Sequence, residues 1–149
     1  MRTLYLDTEF TSLTLDRKLI SLALVAEDGG EFYVELLDGW SEVDCSEFTR
    51  TTVLPQLRLD EHGVTRDAAS SMLQRFLAEQ GPVEIAGDAL RWDWPLLIEL
   101  AGASGLPDNV LGCREVEPAE DVDEGDLDVM PHHALLDARI ICRLARKPF

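Results

Sequence analysis

The run Leu19–Ala26, LISLALVA, is apolar at every position except Ser21. A strand with one face in water alternates apolar and polar residues. This run leaves no face for water and reads as an interior strand. Glu27, Asp28, Gly29 and Gly30 then supply a turn. Residues 31–36 alternate, with Phe32, Val34 and Leu36 on one face. Upstream of the run, residues 4–9 read as another strand, with Leu4 and Leu6 pointing to the core and Tyr5, Asp7 and Glu9 to the other side. The three segments predict an antiparallel meander whose first member carries two acids on one face.

Carboxylates held side by side on a rigid strand repel each other, and a hard divalent cation resolves the conflict. A lone D-x-E says little here, because 29 Asp and Glu stand against 13 Lys and Arg, for a formal charge of −16. Such a surface repels a nucleic acid backbone at long range. Work on nucleic acid then needs local neutralisation by metals or a small basic patch, and suits short or single-stranded ends better than a long duplex. The 149 residues, 46% of them hydrophobic, predict one domain, 1–149, with one core. Cys45, Cys113 and Cys142 lie far apart and suggest no disulfide framework, so a reducing compartment is the simpler reading. No signal peptide or membrane span is expected.

Further along, Trp40 and Phe48 are expected to anchor an irregular excursion over 38–50, and 52–59 to form a short helix interrupted by Pro55. Asp67 reads as the N-cap of a helix to about Ala78, with Leu73, Phe76 and Leu77 as its buried stripe. Gly81 and Pro82 stop that helix, and a short strand follows over 83–86. Residues 91–101 predict another helix with Leu96, Leu97 and Leu100 inward and Pro95 in its first turn. One more short strand is expected at 110–113. Residues 117–128 carry seven acids and no base; they read as a solvated loop, and their spacing does not fit an EF-hand. A last helix over 132–146 has Leu136, Ile140 and Leu144 as its stripe, broadened by Ile141, and Arg139, Arg143, Arg146 and Lys147 toward its end.

Two more acids join the first pair as candidates. Asp93 begins the helix after the short fourth strand. Asp137 lies among Leu136, Ile140 and Ile141, where an acid is costly unless it reaches water or a cation. His132 would stand roughly 140° from Asp137 on an ideal helix, so it fits better on the loop or first turn. His133 is one turn from Asp137 and within reach of a hydrogen bond to it. Position alone does not choose between the two histidines. Phosphodiester hydrolysis needs such groups: carboxylates to hold two divalent ions, and a neutral histidine to accept the proton of an attacking water.

Asp7 to Leu13 (DTEFTSL), Gly87 to Asp93 (GDALRWD) and His132 to Ala138 (HHALLDA) together resemble the three motifs of the DEDD superfamily of 3'-to-5' exonucleases, in its histidine-containing DEDDh branch. Ser12 stands where a glycine is common, and Asp88 departs from the usual residue of the second motif. The opening and its hairpin are similar to small bacterial exoribonucleases related to ribonuclease T. The resemblance implies an α/β, ribonuclease H-like fold, a mixed central sheet flanked by helices. It implies two divalent cations, Mg²⁺ or Mn²⁺, held by Asp7, Glu9, Asp93 and Asp137, and its H-x4-D spacing selects His132 as general base. Thr8, Phe10, Thr11, Leu13 and Trp92 are the implied substrate contacts. The implied partner is the 3' end of single-stranded RNA, with nucleoside 5'-monophosphates as products, in a cytoplasmic homodimer. A 3'-to-5' exodeoxyribonuclease and an inactive nucleic-acid-binding module are the alternatives.

Overall fold

The apolar run forms the spine of a six-stranded mixed sheet. The structure is a computed structural model, and it describes residues 1–116 and 130–145. Strand β2 (Leu19–Ala26) is buried at all eight positions. It lies between β1 (Arg2–Phe10) and β3 (Glu31–Leu36), antiparallel to both, so the expected meander is present. Beyond β3 lies a two-residue strand β4 (Gly63–Val64), preceded by a single turn of helix, α1 (Leu59–His62). On the other side β1 pairs in parallel with β5 (Val83–Gly87), and β5 with β6 (Val110–Glu115), giving the order β4-β3-β2-β1-β5-β6.

Helices cover both faces, which is why β2 has no polar side. Leu4, Leu6, Leu22 and Leu24 meet α2 (Arg66–Ala78) and α3 (Leu90–Ala101) through Leu73, Leu77, Leu96, Leu97 and Leu100. The opposite face is thinner. There Tyr5, Ala23, Val25 and Ala86 meet Ala134, Ala138, Ile141 and Cys142 of the helix α4 (Ala134–Ala145).

That last helix corrects the expected stripe. Leu136 is 39% exposed, and Ile140 and Leu144 are half-buried, while Ala134, Asp137, Ala138, Ile141 and Cys142 turn inward. The sheet opposite presents Ala23 and Ala86, so a helix face of small residues can lie close where a leucine face would stand off. The helix also begins at Ala134 and leaves both histidines on the preceding segment.

Other boundaries shift for local reasons. The N-cap of α2 is Thr65 rather than Asp67: the Thr65 hydroxyl accepts from the Ala68 N–H at 3.2 Å, and Asp67 sits in the first turn. The expected 52–59 helix is a π-turn over Thr49–Val53 followed by a 3₁₀ turn over Leu54–Gln56, where Pro55 occupies a first-turn position that needs no N–H donor. Trp40 packs on the core and donates its indole N–H to the Leu36 carbonyl at 2.8 Å, as an anchor should. Phe48 does not anchor; it is 53% exposed. The acidic segment 117–128 lies outside the described residues, as do Arg146 and Lys147. Among the described residues, no helix is long and apolar enough to cross a membrane.

Candidate metal centre

Asp7 and Glu9 lie near the C-terminal end of β1, opposite Ala23 and Ser21 of β2. They share the face on which α4 packs, and the close approach of that small-residue helix carries the buried Asp137 to them. One oxygen each from Asp7, Glu9 and Asp137 lie within 4.8 Å of one another. Asp7 belongs also to a second such group, with Asp88 and Asp93. Asp88 follows β5, and Asp93 stands in the first turn of α3. The chain needs Gly87 to make this bend: a Cβ there would meet Leu90 Cδ2 at 2.8 Å and the Leu6 carbonyl oxygen at 3.1 Å.

Thr8 reaches Asp93 from the opposite face of β1. Its hydroxyl donates to Asp93 Oδ1 at 2.6 Å, joining residues 85 apart in the chain. Both side chains are buried. Asp93 is thereby held at the end of β1 although it belongs to a helix of the other layer.

Asp7 Oδ2, Asp93 Oδ2 and Asp137 Oδ1 are all buried without a hydrogen-bond partner. An orphaned carboxylate oxygen is expensive, and three in one place form a cluster that a cation could neutralise. Burial, then the charges of Asp93, Glu9, Asp137 and Asp88, push Asp7 well above the usual carboxylate range. Glu9 is raised to about 9 by burial and by Asp137. Burial raises Asp93 to about 7 against the opposing Thr8 hydrogen bond, and raises Asp137 to about 6 against its hydrogen bond with Glu9. The donors are all carboxylate oxygens, the chemistry of a hard cation, and the residues fit one.

These acids form the floor of a cleft of about 570 Å³. His132 stands in its wall and meets the Phe48 ring edge to face, with centroids 4.9 Å apart. Its φ of 55° is the left-handed conformation, unusual for a residue with a side chain. The turn before it is tied down by Gln56, whose Nε2 donates to the Pro131 carbonyl at 2.5 Å and to that of Thr52 at 2.8 Å. Strain held by surrounding contacts is a frequent mark of a working residue.

The expected substrate contacts separate into two groups. Thr8, Phe10, Leu13 and Trp92 line the cleft, and Leu13 is 72% exposed there. Phe10 stacks on Trp92 with centroids 6.1 Å apart and planes 17° apart. The Arg17 guanidinium lies over both rings, 5.5 Å from Phe10 and 4.9 Å from Trp92, and donates to the Trp92 carbonyl at 2.7 Å. Thr11 is different. It is 1% exposed, and its hydroxyl accepts the Lys18 N–H at 3.0 Å, closing the loop after β1.

His133 turns away from Asp137. Its carbonyl accepts the Asp137 N–H at 2.8 Å, but its ring lies against Tyr33, with Nε2 3.2 Å from the Tyr33 hydroxyl and 4.0 Å from Glu35. Glu35 is fully buried; it accepts from the Tyr33 hydroxyl and from the Arg58 N–H at 2.7 Å. Burial lowers the His133 pKa and favours the neutral ring. This polar cluster went unread in the alternation of β3. The signal was available next door: a second strand with no polar face means that the polar side of β3 is covered too. Phe48, Ser46 and Thr49 of the cleft wall carried no such signal, since irregular chain has no period. No protein-family model matches this chain, and no curated protein matches it.

Proposed function

We propose that this chain is a metal-dependent 3'-to-5' exonuclease that hydrolyses single-stranded RNA ends and releases nucleoside 5'-monophosphates. The observation that carries the reading is the convergence of Asp7, Glu9, Asp93 and Asp137 from three elements onto one cleft floor, with buried oxygens left unpartnered, beside His132. The mixed sheet with helices on both faces is compatible with the ribonuclease H-like fold that the motifs imply.

Asp7, Glu9, Asp93 and Asp137 would hold two divalent ions, Mg²⁺ or Mn²⁺. When bound, these ions supply positive charge for the developing charge on the phosphoryl oxygens. Thr8 fixes Asp93 for that task. His132 takes the proton of the attacking water, and its ring is steadied by Phe48 and its backbone by Gln56. Phe10 and Leu13 offer apolar surface to the terminal base; stacking of this kind tolerates any base and contributes ~1–3 kcal/mol. Trp92 backs Phe10. The working assembly on this reading is a homodimer.

The test is a time course on matched RNA and DNA single strands, labelled at the 5' or the 3' end, with Mg²⁺ or Mn²⁺. A ladder shortening from 5'-labelled RNA, with labelled mononucleotide as the first product of 3'-labelled RNA, is expected. Faster DNA turnover would transfer the assignment to an exodeoxyribonuclease. Binding without metal-dependent product would make the chain a binding module.

A further inference from the structure

Asp88 has no part in the four-acid site just proposed, yet it stands with Asp7 and Asp93 as closely as Glu9 and Asp137 do: one oxygen from each lies within 4.8 Å of the others. Each trio contains Asp7, so the floor of the cleft holds two three-oxygen groups joined by one shared carboxylate. The second group has its own unsatisfied atom. Asp93 is 2% exposed; Thr8 takes its Oδ1, and its buried Oδ2 has no partner. Asp88 itself faces other acids: its charge acts on Asp7, Asp93 and Asp137, and Glu115 acts on it.

We infer that Asp88, Asp7 and Asp93 form a complete protein-supplied site for one divalent cation, so that the chain binds its second ion before any nucleic acid arrives. This rests on the proposed metal-dependent reading and deepens it. The five acids carry five negative charges when ionised, against four positive charges on two divalent ions. The protein can therefore neutralise both ions by itself, without a phosphate. Opposite oxygens around Mg²⁺ are ~4.2 Å apart, so a trio within 4.8 Å needs little movement to close on an ion. A site with only Asp7 and Asp93 has to borrow oxygens from the substrate phosphate, and its ion comes and goes with the substrate.

The experiment is calorimetric titration of Mn²⁺ into the full metal-free chain without nucleic acid, with the Mn²⁺ electron paramagnetic resonance spectrum recorded in parallel. The wild type should bind two ions and show the spectrum of a coupled pair. Asp88→Asn keeps the shape and removes the charge. It should bind one ion at wild-type affinity, bind the other at least tenfold more weakly, and lose the pair spectrum. Asp88→Ser should do the same if the amide itself perturbs the fold. Asp7→Asn should lose both ions. One ion in the wild type, or two ions of unchanged affinity in both Asp88 variants, would overturn the inference and leave the nuclease reading standing if Asp7→Asn still abolishes binding. No ion bound to the wild type would overturn both.

Discussion

Asp7 is the single residue common to both oxygen trios, and its substitution should be the most damaging at the centre. Asp7→Asn should lose both ions and most turnover; unchanged magnesium-dependent turnover would refute the assignment. The two histidines give the second test at this scale. His132 faces the cleft and His133 faces Glu35. His132→Ala should lose a factor of ~10²–10⁴ in rate with metal affinity intact, and His133→Ala much less. The reverse order would reassign the base. The carboxyls also set a pH dependence. Glu9 near 9, Asp93 near 7 and Asp137 near 6 are all raised by burial first. Such groups keep protons in the folded chain that the unfolded chain has released. Without metal, their contribution to stability is therefore greatest in acid and is lost as pH climbs from the ordinary carboxylate range through these values. A cation that takes the place of those protons should raise the melting temperature little at about pH 5 and increasingly toward about pH 8. A magnesium effect independent of pH would mean that the ion does not bind these groups.

At the scale of elements, α4 shows where sequence reading succeeds and where it stops. Every strand but the two-residue β4 is legible because period two and an unbroken apolar run have few alternatives; Asp7, Glu9, Asp93 and Asp137 stand out by residue type and position, while only the motif resemblance separates His132 from His133. The buried side of α4 was not legible. Leucine and isoleucine at helical spacing look like a core stripe, but which side of a helix goes inward depends on the surface that receives it. Here Ala23 and Ala86 receive Ala134 and Ala138, with Ile141 buried beside them and Leu135 at the margin, and Leu136 is left outside. The consequence is measurable in denaturant melts. Ala138→Leu forces extra volume into a fully buried contact; it should cost about 1–3 kcal/mol and weaken metal binding by displacing Asp137. Leu136→Ala, on the exposed side, should cost only about 0.5 kcal/mol. Equal losses would mean that the helix packs the other way round. The bidentate pair of Arg139 with Glu31 ties α4 to β3 from outside, at 2.6 and 2.8 Å, but an exposed pair adds little stability.

For the molecule as a whole, the net charge of −16 decides how a polyanion can be held. A chain that grips a strand through many lysines and arginines shows a steep salt dependence; one that engages one or two phosphates at a metal centre should show a slope in log K against log salt of only about −0.7 to −1.4. Fluorescence polarisation of a labelled single strand with Ca²⁺ in place of Mg²⁺ would measure it. A slope several times steeper would place the main contacts on a basic surface outside the cleft. The order of the centre's parts along the chain has a consequence for synthesis. Asp7 and Glu9 are made first, on β1, while Asp137 and His132 arrive with α4, the last described element. A growing chain builds its sheet with two mutually repelling acids, and the third member of their trio, Asp137, joins them only when that final helix docks. On the proposed reading, a nascent chain on the ribosome carries no working centre until that helix has left the exit tunnel and docked.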